Sequence, residues 1–227
     1  MSAKATSFLL LFDMDGVLLD SASAISESLR YALHQNGQLG FEDEDLTKYV
    51  GPPLAAMLNA LLPNEPQNVR DQCAIDYRKH NNLHGPGLTA LYEGMEDLLT
   101  EFSRDFQLRV ATSKLESAAE LVLRTKRIDH IFAGIHGSGP DGSDSKTDVM
   151  RRAVESALSH DKQIQVLAMI GDRKHDVEGA KNLGINSIGV TWGYAEVGEL
   201  ELASANYIVE SPQQLKSLIL QLAELAL

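Results

Sequence analysis

Residues 9–17 read Leu9-Leu10-Leu11-Phe12-Asp13-Met14-Asp15-Gly16-Val17, and this stretch decides the fold of the chain. Phe8 to Phe12 is an apolar run of strand length, which is typical of parallel strands covered on both faces. Asp13 and Asp15 follow it, and because side chains of an extended chain repeat with a period of two, both carboxylates should point the same way. Two like charges held that close need a cation or a shared proton. Gly16 allows the sharp turn that follows.

Taken alone, an Asp-x-Asp pair is compatible with several roles. It occurs in solvent-facing turns, and sugar-nucleotide transferases hold a metal with such a pair. A sugar-nucleotide transferase is therefore one alternative. The other polar residues of the chain must decide between a plain turn, a transferase and another kind of active site.

Composition limits the class of protein and its partners. With 227 residues, of which 44% are hydrophobic and 23% charged, the chain suits a soluble globular protein of one large domain or a domain with an insertion. A net charge of −12 argues against binding to nucleic acid or to an anionic membrane surface. An anionic substrate would need a local positive site. The single cysteine, Cys73, cannot form an intramolecular disulfide.

The N-terminal apolar run is too short for a signal peptide and ends in two aspartates. No stretch approaches the length of a membrane span. We therefore predict a cytoplasmic protein.

Between about Ser21 and Leu83 the pattern is helical throughout. It predicts helices from about Ile25 to Gly37, Asp43 to Val50, Leu54 to Leu62 and Val69 to Leu83. The sequence His84-Gly85-Pro86-Gly87 then predicts a linker. Hinges are expected near residues 17–21 and 84–88.

After this linker, strand and helix patterns alternate, which predicts right-handed crossovers and a parallel sheet. The predicted strands are Leu108 to Ala111, Ile131 to Ile135, Val166 to Ile170, Ser187 to Val190 and Tyr207 to Val209. A Gly/Ser/Asp-rich loop is expected from Gly134 to Ser145. The first strand belongs to this sheet, so we expect a core of residues 1–20 and 85–227 with a helical insertion of residues 21–84.

Ligands of an open α/β sheet bind beyond the carboxyl ends of its strands. The polar residues that follow the predicted strands, directly or after a loop, are Asp13, Asp15, Thr112, Ser113, Lys114, Lys146, Asp172 and Asp176. They should converge on one rim, although Lys114 suits the surface equally well.

These motifs resemble the haloacid dehalogenase superfamily of phosphatases, through Asp13-Met14-Asp15-Gly16-Val17, Thr112, Lys146 and Gly171-Asp172-Arg173-Lys174-His175-Asp176. The resemblance covers nearly the whole chain. It implies a Rossmann-like α/β core with an inserted α-helical cap domain. Ion-pumping ATPases that resemble the motif have Thr at the position of Asp15, and dehalogenases lack the second acid, so the resemblance favours a phosphatase or a phosphomutase.

The chemistry of the residues agrees with this resemblance. Phosphoryl transfer needs an in-line nucleophile, charge neutralisation and an acid for the leaving group. Asp13 can attack as a carboxylate, and Asp15 can act as acid and then as base. Lys146 can offset charge, and Thr112 can donate a hydrogen bond to a phosphoryl oxygen beside the Ser113 amide.

Four carboxylates and a phosphate dianion in one pocket require a divalent cation as well as a lysine. We predict Mg²⁺, held by Asp172, Asp13 and the backbone carbonyl of Asp15. Asp176 is either a further metal ligand or an anchor for the others.

Substrate choice should depend on the inserted helices. Gly51-Pro52-Pro53-Leu54 fits a loop facing the core and fits a simple helix-breaking turn equally well. On the first interpretation, Gly51 and Pro52 join Gly16, Thr112, Ser113 and Lys146 as candidate substrate-binding residues. The resemblance is strongest to phosphoglycolate phosphatases and 5'-nucleotidases. It implies a small phosphorylated metabolite as partner, with a nucleoside monophosphate ahead of phosphoglycolate, and a monomer or homodimer.

Two alternative functions fit the same motifs. A β-phosphoglucomutase-like phosphotransferase uses the same core, and an inactive member would only bind a phosphorylated ligand.

Outside the motifs, Asp76, His80 and His84 are spaced as a metal-binding stripe or as a solvated helix end. Trp192 and Tyr194 suit packing better than stacking on a base.

Overall fold

The computed structural model describes residues 7–227. Its main sheet has six parallel strands in the order β5-β4-β1-β6-β7-β8. The strands are β1 (Phe8–Phe12), β4 (Phe106–Leu115), β5 (Gly134–Ser138), β6 (Gln165–Gly171), β7 (Ser187–Val190) and β8 (Tyr207–Val209). The predicted Rossmann-like α/β fold is confirmed.

Helices cover both faces of this sheet and fill an insertion after β1. They are α1 (Ala22–Gln35), α2 (Leu54–Leu61), α3 (Gln67–Leu88), α4 (Met95–Phe102), α5 (Glu116–Thr125), α6 (Lys146–His160), α7 (Lys174–Leu183), α8 (Glu199–Leu202) and α9 (Pro212–Leu225). The short helix α8 was not predicted from sequence.

Strand β1 lies at the centre of the sheet, and its side chains alternate between two hydrophobic cores. Leu9 and Leu11 pack with residues of α6, while Leu10 and Phe12 pack with residues of α4 and α9. Because both faces of β1 are buried, every position of the strand is apolar. Phe12 pairs with Val110 of β4 and Ile170 of β6, so the residues after these positions reach the same edge of the sheet.

Helices α1, α2 and α3 form a layer with its own apolar cluster, which includes Leu29, Leu33, Leu58 and Cys73. The two chain crossings between this cap and the core pair with each other as a short antiparallel ribbon of β2 (Leu19–Asp20) and β3 (Ala90–Leu91). The division of the chain at residues 20 and 84 stays a prediction.

The predicted linker at residues 84–87 is wrong, because α3 continues to Leu88. Pro86 lies in the last turn of α3, so its missing amide affects the hydrogen bonding of that final turn only. Thr89 Oγ1 donates to the carbonyl of Gly85 at 2.8 Å and so satisfies one terminal acceptor. The predicted hinge at residues 84–88 is therefore helical, and the crossing follows it at β3.

Two other predicted elements differ from the structure. Instead of a helix from Asp43 to Val50, only a 3₁₀ turn at Thr47–Tyr49 forms, since the Asp45 carboxylate accepts from the amide and hydroxyl of Thr47 at 3.0 and 2.6 Å. Strand β5 begins at Gly134 rather than at Ile131. Its Gly/Ser-rich sequence resembles a loop, but backbone pairing with β4 does not depend on side chains.

Among the described residues, no helix is both long and apolar enough to cross a membrane.

The start of α6 places Lys146 at the rim of the sheet and depends on a capping box. Ser145 Oγ accepts from the Asp148 amide at 3.2 Å, and the Asp148 carboxylate accepts from the Ser145 amide at 3.3 Å. We expect Ser145→Ala to lower the free energy of unfolding by about 1 kcal/mol in urea denaturation. Ser159→Ala, near the other end of α6, should change it by less than about 0.5 kcal/mol. Equal effects of the two substitutions would contradict a role for the cap.

Candidate active site

Asp13 leaves the sheet at the end of β1, where its amide still donates to the Ile170 carbonyl at 2.9 Å. The chain then turns back through Gly16, whose amide donates to the Leu19 carbonyl at 2.8 Å. Gly16 has φ +82°, and a Cβ atom built on it would lie 2.1 Å from Asp172 Oδ2. A glycine is therefore required for the turn to approach Asp172. Its proposed contact with substrate stays a prediction.

Lys146 joins two of the predicted acids. Its Nζ lies 2.8 Å from Asp13 Oδ1 and 2.8 Å from Asp176 Oδ1, and its side chain is only 4% exposed. Burial alone would lower the pKa of Lys146, but the carboxylates of Asp13 and Asp176 outweigh burial and raise it. Lys146 therefore stays charged.

Asp13, Asp172 and Asp176 form a buried acidic cluster, with one oxygen from each lying within 4.8 Å of the others. Burial raises the pKa of Asp13 to about 6, against the opposing effect of Lys146, with a further rise from Asp176. The pKa of Asp172 is also raised well above its usual range, by burial and by the carboxylates of Asp176 and Asp13. Carboxylates in this arrangement need a cation to be ionised together.

The donor set of this cluster fits a divalent cation. Asp172 Oδ2 accepts from the Tyr194 amide at 2.7 Å, but Asp172 Oδ1 is buried and has no hydrogen-bond partner in the described chain. Asp176 is more fully engaged, because its Oδ2 accepts from the Arg173 amide at 3.1 Å while its Oδ1 contacts Lys146. Carboxylate oxygens of this kind suit Mg²⁺. The Asp15 side chain lies outside the cluster, and a role for its carbonyl stays a prediction.

The structure brings Lys114 into the site, although its sequence position suited the surface equally well. Its Nζ lies 3.0 Å from Asp15 Oδ2, and its side chain is 12% exposed. Strand β4 extends to Leu115, four residues further than predicted, so Lys114 still belongs to the strand end and follows Thr112 by two positions. The position of Thr112-Ser113-Lys114 at the end of a strand was the sequence signal that could have placed Lys114 in the site.

Thr112 and Ser113 lie beside these acids. Thr112 is buried, and its hydroxyl accepts from the Lys114 amide at 3.3 Å, in the part of β4 where the register with β5 shifts. Both residues line the same cleft as Asp13 and Asp15. The structure thus brings together the acids and the hydroxyl residues that were predicted from sequence.

The cleft lies between the core and the cap. Gly51 and Pro52 line it from the cap, together with apolar residues of α1 and α2 such as Ile25, Leu54 and Met57. The structure therefore places the Gly-Pro-Pro loop opposite the acids. Contact of Gly51 and Pro52 with a substrate stays a prediction.

Arg173 connects this cap loop to the core and was not identified from sequence. Its Nη1 donates to the Val50 carbonyl, and its Nε donates to Glu199 Oε1 and Oε2 at 2.9 and 3.2 Å. Gly51 has φ +115°, and a Cβ atom built on it would lie 2.6 Å from Arg173 Nη1. The loop can pass this close to the arginine because Gly51 has no side chain.

The aromatic and histidine residues have structural contacts. The Trp192 indole donates to the Val17 carbonyl at 3.1 Å, and the Tyr194 hydroxyl accepts from the Ser21 amide at 2.7 Å. His80 stacks on Tyr31 with ring centroids 4.4 Å apart. Within residues 7–227, the acidic cluster is the one group of three side chains close enough to share a metal, so a stripe of Asp76, His80 and His84 is not formed.

Comparison with known proteins identifies the class. The model of the haloacid dehalogenase-like hydrolase family matches residues 10–190, and the chain belongs to this family. This confirms the family that the sequence motifs indicated.

The names of individual relatives state different activities. The chain is 34% identical to a protein of Mycobacterium tuberculosis named tyrosine-protein kinase PtkA, over 89% of this chain and 68% of that protein. It is 31% identical to a 5'-nucleotidase of Pseudomonas aeruginosa, over 89% of this chain and 95% of that protein. The crystal structure of a predicted phosphatase from Clostridium acetobutylicum superposes with a TM-score of 0.86 and 35% identity, covering 96% of this chain and 100% of that one.

The acidic cluster predicts that stabilisation by Mg²⁺ depends on pH. Because the pKa of Asp13 rises from 3.8 to about 6, the folded protein without metal binds this proton more tightly than the unfolded chain does. Its stability should therefore fall as pH rises through this interval, and a bound cation should offset the loss. In thermal melts, the increase in Tm caused by Mg²⁺ relative to EDTA should be larger at about pH 7.5 than at about pH 5. Asp172→Asn should reduce the increase, and an equal increase at both pH values would contradict the prediction.

Loss of the contact between Arg173 and Glu199 should lower the stability of the folded protein by a large amount. Both side chains are only 10% exposed, so Arg173→Met leaves Glu199 as a nearly buried charge without its partner. We expect a decrease in the free energy of unfolding of about 3 kcal/mol. Adding Glu199→Gln should recover part of the decrease, because it removes the unpaired charge.

Urea denaturation of the two single variants and the double variant measures this coupling. The matched control is Lys174→Gln, since the exposed Lys174 side chain lies next to Arg173 but only its backbone amide contacts Glu199. A double variant whose loss equals the sum of the single losses would show that the pair is not coupled.

Proposed function

We propose that this phosphatase hydrolyses phosphomonoesters of small metabolites through a covalent intermediate on Asp13. The observation that carries the proposal is the hydrogen bonding of the two oxygens of the Asp13 carboxylate. Its Oδ1 is held by Lys146 at 2.8 Å and by the Met14 amide at 2.7 Å, whereas its Oδ2 has no hydrogen-bond partner among the described residues. An oriented carboxylate with one available oxygen, lining a cleft with a second acid, suits in-line attack on phosphorus.

In the first step, Asp13 Oδ2 attacks phosphorus and the bond to the leaving oxygen breaks. Asp15 donates its proton to that oxygen, which leaves as an alcohol. In the second step, Asp15 takes a proton from water, and the water oxygen attacks the aspartyl-phosphate. Inorganic phosphate is released, and Asp13 and Asp15 return to their starting states.

The surrounding residues orient the phosphoryl group and offset its charge. Lys146 is held charged beside Asp13, and the Thr112 hydroxyl and Ser113 line the cleft next to both acids. Lys114 lies at 3.0 Å from Asp15, where it can orient the carboxylate that transfers the proton. Fixed donors of this kind require no rearrangement when charge develops in the transition state.

Asp13, Asp172 and Asp176 would hold Mg²⁺ in this enzyme, with the Asp15 carbonyl as a further ligand. When bound, the ion supplies positive charge that stabilises phosphoryl oxygens. The buried and unpartnered Asp172 Oδ1 supports this assignment.

The cap would select the leaving group, with Gly51 and Pro52 in contact with substrate. A nucleoside monophosphate or phosphoglycolate is the proposed substrate, and the name of the 5'-nucleotidase relative supports the former. The acidic chain is proposed to bind neither nucleic acid nor membranes, to act as a monomer or homodimer, and to work in the cytoplasm.

A second candidate is transfer of the phosphoryl group to an acceptor other than water. The tyrosine-protein kinase name of the PtkA relative favours it, as does the shared core of mutases. Phosphate turnover that requires a sugar bisphosphate, or label that moves from ATP to a tyrosine peptide, would support transfer over hydrolysis.

The nucleophile is tested by phosphate release from nucleoside monophosphates, phosphoglycolate and sugar phosphates, with Mg²⁺ or with EDTA. We expect Asp13→Asn to lower the rate by at least about a thousandfold, because the amide cannot form the intermediate. EDTA should abolish the activity of the unmodified enzyme.

Asp105→Asn is the matched control, since it makes the same chemical change at an exposed aspartate that precedes β4, at the opposite edge of the sheet from Asp13. It should leave the rate unchanged. Full activity of Asp13→Asn would reject Asp13 as nucleophile, and no release from any compound would reject hydrolysis.

A further inference from the structure

Four charged residues line the cleft between core and cap: Asp13, Asp15, Lys114 and Arg78. Asp13 is paired with Lys146 at 2.8 Å, and Asp15 is paired with Lys114 at 3.0 Å. Arg78 has no carboxylate within ion-pair distance among the described residues. Among the four, Arg78 is therefore the one charged side chain without an ion-pair partner in the described part of the chain.

Arg78 lies on α3, so it faces the cleft from the cap. Its contact with the core is weak, since Nη2 lies 3.4 Å from the Asp141 carbonyl oxygen. The Asp141 carboxylate is hydrogen-bonded within its own loop, where Oδ2 accepts from the Ser143 hydroxyl at 2.7 Å and Oδ1 from the Ser143 amide at 3.2 Å. These contacts lower the pKa of Asp141, and Arg78 lowers it further from beyond ion-pair distance. A guanidinium has five N–H donors, so most of those of Arg78 remain available for a ligand.

The neighbours of Arg78 restrict where that ligand can be. A Cβ atom built on Gly142 would lie 2.9 Å from Arg78 Nη2, so the guanidinium lies against the loop before Lys146. Asn82 also lines the cleft on α3, one turn beyond Arg78. Asn81 is occupied, since its amide donates to Ser28 Oγ at 3.2 Å. An anion at Arg78 would therefore sit on the cap side of the acids.

On the basis of the phosphatase function proposed above, we propose that Arg78 binds an anionic group on the leaving alcohol, such as a carboxylate or a second phosphate. This subsite favours phosphoglycolate over a nucleoside monophosphate, because the nucleoside that leaves from the latter is uncharged. The phosphoryl group takes the core side of the cleft at Asp13, which leaves the cap side for the rest of the substrate. Arginine binds carboxylate and phosphate groups through paired hydrogen bonds. In a chain of net charge −12, this unpaired cation also offsets the general repulsion of a doubly anionic substrate.

Three substrates with the same two-carbon backbone test this subsite. Ethyl phosphate has no second anion, 2-phosphoglycolate has a carboxylate, and ethylene glycol bisphosphate has a second phosphate. The unmodified enzyme should prefer one or both charged compounds over ethyl phosphate in kcat/KM, and their ranking identifies the anion. Arg78→Gln should lower kcat/KM for the preferred charged compound by about tenfold to a hundredfold and leave ethyl phosphate within about twofold.

Lys79→Gln is the matched control, because it removes a positive charge at the next, exposed position of α3. It should change none of the three rates by more than about twofold. Arg78→Lys should retain part of the preference.

The outcomes separate the subsite from the proposed function. Hydrolysis of all three compounds without preference, or an equal loss for all three in Arg78→Gln, would overturn the subsite and leave the phosphatase function intact. A loss in Lys79→Gln equal to that in Arg78→Gln would also overturn it, since the effect would then be general electrostatics. Failure of the unmodified enzyme to hydrolyse any of them, or p-nitrophenyl phosphate, would count against the phosphatase function itself.

Discussion

The contact of Lys146 with Asp13 and Asp176 is the interaction on which the site depends. These residues come from the first turn of α6, the end of β1 and the first turn of α7, and the lysine nitrogen lies 2.8 Å from both carboxylates. Removal of the Lys146 charge would leave two buried carboxylates without compensation, at a cost of several kcal/mol. The same contact orients Asp13 and leaves one of its oxygens available. Stability and catalysis are thus linked through one ammonium group.

The cap and the core meet through two arginines with different surroundings. Arg173 extends from the core to the Val50 carbonyl of the cap and is neutralised by Glu199. Arg78 extends from the cap toward the loop at Asp141, and among the described residues no carboxylate lies within 4.0 Å of its guanidinium. The first contact is complete within the protein, so it serves to hold the Gly51 loop in place. The second is incomplete, which is why it is a candidate for recognition of a ligand.

The fold was predictable to a large extent because its signals are local. Strand β1 is apolar at every position, and the acids follow it directly, as expected for a strand covered on both faces. The boundaries of β7 and β8 agree with the sequence patterns. Errors occurred where backbone pairing or capping outweighed composition, as in the Gly/Ser-rich strand β5 and at Pro86 in the last turn of α3.

By itself, the sequence determined the family, the order of elements and the acids Asp13, Asp15 and Asp172, because these follow from periodicity and from motifs at strand ends. Only the tertiary structure decided the partners of the charged residues. Lys114 pairs with Asp15, and Arg173 pairs with Glu199 and reaches Val50, over separations of 26 to 123 residues. Charge pairing depends on distances between atoms that only the packing of core and cap brings together, and no local pattern encodes those distances.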